Sequence, residues 1–527
     1  MGSKVFRRVG GLNPGRSVFD LSHEYKTTCD MGQLIPVLCE EVVPGDRWTI
    51  GNEMVIRFQP LVAPILHEVN AYIHYFFVPY RLLWDEWEKF ITGGEDGEFE
   101  VEIPKFHNSS TVYQKGSLWD YLGFPTGVVL PQSQRPLWFP RGAYNFIWSE
   151  YYRDENLQRK LWHKPSGRPT EDYNTATTSI QYRNWEKDYF TSSLPFQQRG
   201  QAPALPISGF SSAIFDQDIG IKLGTHVNPR FDQRLDILNA NQSNLYALQG
   251  LQGVSNARIN VDKNDLSRNK VDLSDAATFN IADLRLAFQV QKWLERNARA
   301  GVRYTEFLRS HFGVSPTDER LDRPEYIGGS KQSIIVSEVL QTSQSTSTSP
   351  QANMAGHGLS ANRTLCGKYN VKEFGLIMGL LSVMPRTAYQ QGINRQWLRR
   401  TKYDFYFPEF AHLSEQAIEK MEIYATNNAN TNSKIMGFIP RYDEMRVKQS
   451  KITGDLREKF DYWHLGRKFS NEPNLNSSFI QCNGKSASMK RIYAVPGEDG
   501  LIVNIAHIIK AVRPMPIMAN PGYIDHF

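Results

Sequence analysis

Any chemistry this chain performs must rest on side chains at diagnostic spacings, and several stretches come close to one. His67-Glu68 opens the zinc pattern H-E-x-x-H, where two histidines one helical turn apart grip the metal and the glutamate activates water. Ala71 stands where the second histidine is needed, so the ligand set is incomplete. Gly484-Lys485-Ser486 ends like a phosphate-binding loop, but Phe479 replaces the upstream glycine whose backbone would cradle the phosphates. Asp216 and Asp218 begin like a calcium loop, and Gly220 and Val227 then fall where oxygen ligands belong. Gly209-Phe210-Ser211-Ser212-Ala213 lacks the second glycine of a nucleophile elbow. None of the 12 histidines forms a His-x-His pair, and the four cysteines (Cys29, Cys39, Cys366, Cys482) form no C-x-x-C. No catalytic or metal site is expected, nor any cofactor. The cysteines read as buried small hydrophobes in a reducing compartment.

Two basic clusters interleaved with rings remain. Arg395, Trp397, Arg399, Arg400 and Lys402 lie within eight residues, and Trp463, His464, Arg467 and Lys468 form a second group. Such pairings suit single-stranded nucleic acid, because bases stack on rings while cations meet phosphates. They suit equally a solvated or salt-bridged protein face. Arg7 and Arg8, near the N-terminus, carry the same two readings.

The elements that must position these residues are mostly strands. The first 45 residues, broken by Gly10-Gly11, Pro14-Gly15 and Pro36, read as an extended arm. Pro44-Gly45-Asp46 reads as a type II turn. Met54, Ile56 and Phe58 then alternate with Val55, Arg57 and Gln59, and VNAYIHYFFV at 69–78 is a second strand. Leu83, Trp87 and Phe90 predict one short helix over Tyr80–Ile91, stopped at Gly93-Gly94. A loop-rich stretch follows, dense in proline yet holding Trp119, Trp138, Trp148, Trp162 and Trp185. Rings that large must pack on the core or on a neighbouring subunit, so Trp119, Trp138 and Trp148 are expected between subunits.

Residues 211–280 differ: Ala247 to Thr278 contains no aromatic at all, which makes this stretch a surface excursion. Helices are predicted from Asn280 to Gly301 and from Thr305 to Phe312. Strands return over 334–340 and in the apolar run FGLIMGLLSVM at 374–384. A strand is expected at Tyr403–Phe407, a helix capped by Ser414 through Ile423, and a hairpin joining Ile492–Val495 to Leu501–Val512. An eight-stranded β-sandwich uses roughly 150–200 residues. Some 300 residues are then left as insertions, which suits a shell subunit whose loops become interfaces.

Composition narrows the class. Aromatics make up 12% of the 527 residues, ample for a packed core and incompatible with global disorder. No run of about 18 apolar residues exists, so no membrane insertion is expected, and Met1 to Gly10 lacks the apolar region of a secretory signal. The net charge of +5 does not by itself mark a nucleic-acid binder. The residues thus leave two readings open. One is a self-assembling structural subunit. The other is a monomeric binding or carbohydrate-active jelly roll, which would need a carboxylate pair or metal at a cleft.

Longer strings decide between them. FFVPYRLLWDEWEKFITGG at 76–94, RLAFQVQKWLERNARAGVRYTEFLRSHFGV at 285–314, RPEYIGG at 323–329 and IVSEVLQTS at 335–343 are long and rare. So are AGHG at 355–358, YQQGINRQW at 389–397, WHLGRKF at 463–469 and PGYIDHF at 521–527. In these the chain resembles the major capsid proteins of the Microviridae, small single-stranded DNA bacteriophages, and most closely their gokushovirus branch. The resemblance spans nearly the whole chain and is weakest across 211–280.

It implies a mainly β fold: an eight-stranded viral jelly-roll β-sandwich with long loop insertions carrying short helices. An arm over 1–45 would precede a single domain over 46–527, with 211–280 forming a protrusion at the threefold axis. It implies no enzyme and no cofactor. Partners would be the chain itself in a sixty-copy T=1 shell, packaged circular single-stranded DNA, a small basic DNA-packaging protein, an internal scaffolding protein, a pilot protein and a host cell-surface receptor. Particles would assemble in the bacterial cytoplasm. DNA would be faced by Arg7, Arg8, Arg395, Trp397, Arg399, Arg400, Lys402, Arg467 and Lys468. Neighbouring subunits would be met by Trp119, Trp138 and Trp148 and by the tail Ile524, Asp525, His526 and Phe527.

Overall fold

The computed structural model describes residues 15–95, 100–106, 113–162, 179–203, 281–301, 303–340 and 354–518, together with five short strands between 213 and 271. Arg7, Arg8, the tail 524–527 and most of 211–280 lie outside the described residues. The chain forms two compact units, one of residues 1–197 with 297–527 and one of residues 198–296.

The first unit is mainly antiparallel β. Strands β1 (Ser17–Asp20), β2 (His23–Cys29) and β3 (Ile35–Val42) come from the stretch expected as an extended arm. From residue 17 onward that stretch is indeed extended, but it is spent on sheet pairing, and Leu34 and Ile35 are fully buried. Pro36 is tolerated because β3 pairs only with β13, at the end of the strand path, where a missing N–H costs no ladder bond. Gly45 takes a φ of +95°, as the predicted turn requires.

In β4 (Arg47–Phe58), Trp48, Ile50, Met54, Ile56 and Phe58 face inward, in the expected alternation. β5 (Val69–Pro79) follows as read from the sequence. The helix expected over Tyr80–Ile91 is instead two pieces, Tyr80–Leu83 and Trp87–Thr92. Trp84 breaks it by adopting extended backbone, with its ring fully buried.

The second unit holds the short strands β6 (Ala213–Ile214), β7 (Ile221–Gly224), β8 (Arg234–Leu235), β9 (Arg258–Asn260) and β10 (Lys270–Val271). Helices Ile281–Ala300 and Tyr304–Phe312 stand where predicted, and left-handed glycines follow each, Gly301 and Gly313.

The first unit resumes with β11 (Glu325–Leu340), β12 (Met354–Asn370), β13 (Gly375–Pro385), β14 (Glu415–Glu419), β15 (Ile435–Pro440) and β16 (Leu501–Arg513). Three expectations fail here, two through pairing with other segments and one through a local turn. The helix expected from Ser414 is β14, recruited by β15. Tyr403–Phe407 is no strand: the turn Lys402–Asp404, closed by a Thr401/Asp404 capping box, takes its first residues. Ile492–Val495 makes no hairpin, because Leu501–Arg513 pairs with β4, β2 and β1.

The main sheet follows the path β1-β16-β4-β12-β11-β5-β13-β3, with β2 also on β16. β11 serves two partners: Glu325–Ile334 pairs with β5 and Ile335–Leu340 with β12. This arrangement is consistent with a β-sandwich. β13 is buried at every position, whereas β16 alternates. The extra burial comes from the aromatic loops, which cover the outer side of β5, β13 and β3. Phe139 stacks on Tyr80 with ring centres 4.4 Å apart, and the Tyr144 hydroxyl donates to the Leu34 carbonyl at 2.9 Å.

The tryptophans assigned to subunit contacts lie inside this chain. Trp119, Trp138 and Trp148 are 2%, 3% and 2% exposed. Trp119 stacks on Tyr113 at 4.2 Å and donates to the Pro125 carbonyl, Trp138 stacks on Trp162, and Trp148 donates to the Tyr182 carbonyl. Loops dense in rings fold back because burying each ring on the parent sheet gains about 1.5–3 kcal/mol without waiting for a partner.

Candidate functional site

The first basic cluster sits on irregular backbone between β13 and β14 and around the turn Lys402–Asp404. Its cations are largely engaged. Arg395 meets Glu422 at 2.8 Å and donates to the Ala417 carbonyl at 2.9 Å. Burial raises the Glu422 carboxyl, and Arg395 opposes that shift. Arg399 lies 3.7 Å from Glu444 and over the Phe405 ring. Arg400 meets Glu419 at 2.6 Å. Lys402 is exposed, with its ammonium 5.0 Å from the Tyr403 ring centre. Trp397, by contrast, is 74% exposed.

The second cluster is a packing device. The Arg467 guanidinium lies over Phe479 at 4.2 Å, Phe469 at 5.2 Å and Trp185 at 5.3 Å, and it donates to the Phe479 carbonyl. It therefore staples loops together and is poorly placed to meet a phosphate. Lys468 is exposed and meets Asp461 at 3.0 Å. Sequence reading brought the right residue types together but could not see the carboxylates, which for the first cluster arrive from 19 to 45 positions further along the chain.

Two polar sites escaped sequence reading. In the core, Asn52 on β4 donates to Ser330 on β11 at 3.0 Å and to Tyr75 on β5 at 3.2 Å. The Tyr75 hydroxyl lies 3.2 Å from His507 Nδ1 on β16, and His507 Nε2 lies 2.9 Å from the Val37 carbonyl on β3. Because a carbonyl can only accept, Nε2 carries the hydrogen and Nδ1 accepts from Tyr75. Burial pushes His507 down to about 4, and nearby His23 adds to this. The second site is a cavity of about 680 Å³ on the outer side of β5 and β11, with His74, Phe76, Tyr152, Arg183, Trp185 and Tyr326 among its walls. Burial lowers His74 to about 4, reinforced by the Arg183 charge. The only signal for either site was the alternation in VNAYIHYFFV, which sends Tyr75 to one face and His74 and Phe76 to the other.

Among the described residues no group of three His, Cys, Asp or Glu side chains could hold a metal ion, and no helix is long and apolar enough to cross a membrane. Cys29 and Cys482 are buried free thiols, and burial pushes Cys482 up to about 12.

Comparison with known proteins gives one answer along the whole chain. Residues 9–523 match the protein family described as capsid protein (F protein). The capsid protein VP1 of Chlamydia phage 1 is 35% identical, covering 98% of this chain and 97% of the relative. The capsid protein VP1 of Bdellovibrio phage phiMH2K is 33% identical over 99% and 98%, and that of Spiroplasma virus 4 is 30% identical over 98% and 97%.

Proposed function

Because the chain belongs to the capsid protein (F protein) family and is thus a structural, non-enzymatic virion component, we propose that sixty copies close into a T=1 icosahedral shell around circular single-stranded DNA. The observation that carries this is the match to phage capsid proteins over nearly the full length of both chains.

The fold proposed for the subunit is the viral jelly roll, and the strand path supports it. Let β1 and β2 count as one interrupted strand, since both pair with β16 on successive stretches. Numbered in chain order without the short strands of the insertions, the path then reads 1-8-3-6-5-4-7-2. First pairs with last, second with seventh, third with sixth and fourth with fifth, as when a long hairpin is rolled into two layers. The insertion between the fourth and fifth of these strands contains the second unit, residues 198–296, which supports assigning the protrusion over 211–280 to it. Host-receptor contact belongs with that protrusion.

Charge supports helpers for the genome. DNA long enough to encode this chain alone carries roughly 1,600 phosphates, three per residue. Sixty copies at +5 bring about +300, under a fifth of the neutralising charge. A small basic packaging protein fills that role, with scaffolding and pilot proteins assisting assembly in the bacterial cytoplasm. Direct DNA contact falls to a few cations, Lys468, Arg7 and Arg8.

Light scattering and electron microscopy of the expressed chain test the proposal. Hollow megadalton particles are expected, formed alone or with the scaffolding protein. A stable monomer under both conditions overturns it.

A further inference from the structure

The cluster read as a DNA contact has neutralised much of its charge and kept its rings outside. Over 397–413 the chain reads WLRRTKYDFYFPEFAHL, and Trp397, Tyr403, Phe405, Tyr406, Phe407 and Leu413 are each 44% to 74% exposed. At roughly 200 Å² for a fully exposed large side chain, these six residues together expose roughly 650 Å², backbone and polar tips included, against about 800 Å² for one partner's share of a standard protein interface.

The strap is also held firm from beneath. The Arg441 guanidinium donates to the Tyr403 carbonyl at 2.8 Å, and the Tyr442 hydroxyl donates to the Phe405 carbonyl at 3.0 Å. Tyr442 itself sits at φ +65°, a left-handed conformation that a bulky residue adopts only when its surroundings impose it. Surface rings fixed in place lose little freedom on binding.

Resting on the shell reading above, we propose that the 397–413 strap is a contact between copies of this chain, its rings seated on a neighbouring subunit. Area and electrostatics both favour that occupant over DNA. Arg395, Arg399 and Arg400 are committed to Glu422, Glu444 and Glu419. Asp404 and Glu409 add carboxylates on the strap itself. On the strap itself a phosphate backbone would meet those acids and, among the described residues, one Lys or Arg without a carboxylate partner, Lys402. A protein surface buries the rings and leaves the ion pairs intact at the rim.

Hydroxyl-radical oxidation of Trp397 and Phe407 tests this on the unaltered full-length chain, as dissociated subunits, empty particles and DNA-filled particles. At least fivefold protection is expected in empty particles, with no further gain on filling. Equal oxidation in subunits and empty particles overturns the surface, and so does protection that appears only with DNA. The double variant Trp397→Gln/Phe407→Gln should melt like the wild type yet give at least tenfold fewer particles, and an undiminished yield overturns the proposal. If that variant misfolds, the oxidation result on the unaltered chain decides. A wild-type chain that never forms particles overturns the shell reading and this one together, whereas particles with unprotected rings overturn this surface alone.

Discussion

At the scale of single residues, charge and its partners set the behaviour. Arg467 is the clearest case, a cation boxed by rings of four separate segments. Arg467→Ala removes those contacts and leaves the Phe479 carbonyl without its donor. A loss of about 2–3 kcal/mol is expected in urea unfolding, against less than about 0.5 kcal/mol for Lys468→Ala, whose ion pair is at the surface. His507 makes stability depend on pH. Its folded value, about 4, lies below the ordinary 6.5. Below pH 6.5 the unfolded chain therefore takes up the proton first, and stability falls until about pH 4. Between pH 7 and pH 5 this one group should withdraw about 2 kcal/mol. Unfolding curves at the two pH values, compared with those of His507→Gln, isolate that share, which the variant should lack.

At the scale of elements, strand pairing overrode local preference. Ser414 and the residues after it carry a plausible cap and staple, yet β15 takes them into a two-stranded sheet. The loop between β2 and β3 shows the converse, a turn that one residue makes feasible. Gly32 has a φ of +78°, and a Cβ there would overlap the Cys482 carbonyl oxygen. Gly32→Ala should cost at least about 3 kcal/mol, since strain and backbone collision add. Gly454, at φ +69° with open space around it, should lose only about 1 kcal/mol when changed to Ala. Leu381 on β13 is fully buried, opposite Ile73 on the face that also carries Tyr75. Leu381→Ala should cost about 2–5 kcal/mol through the cavity it leaves, measurable as a lower melting temperature of the isolated chain.

At the scale of the whole molecule, the aromatic loops and the shell compete for the same side chains, and the subunit takes most of them. Trp119, Trp138 and Trp148 are buried within the subunit, so a substitution such as Trp148→Ala should lower subunit stability before it touches assembly. On the proposal above, assembly falls to the exposed 397–413 strap. Deleting residues 521–527 should leave soluble, folded chain that gives few particles by sedimentation. An unchanged particle yield would remove the tail from the interface. For the proposed DNA-filled shell, DNA retention should weaken as salt rises, because each phosphate contact is favoured by counterion release.

Much of this was legible in the sequence by itself. Period-two alternation marked β4, an aromatic and β-branched run marked β5, and a continuous apolar run marked β13; glycine and proline marked the turn at Gly45 and the ends of the two long helices, and rare strings over nearly the full length marked the capsid family. Each of these signals is local or literal, so a linear text can carry it. Only the tertiary structure decided which charges are free, which rings are buried, and where 414–423 and 501–513 find their partners. A salt bridge, a stacked ring and a strand pair are each made by segments far apart in the chain, and their free energy exists only once folding has brought those segments within contact distance. That is why the Arg395–Lys402 cluster suited either phosphate or a salt-bridged face in the sequence, and folded into a set of ion pairs with Trp397 turned outward.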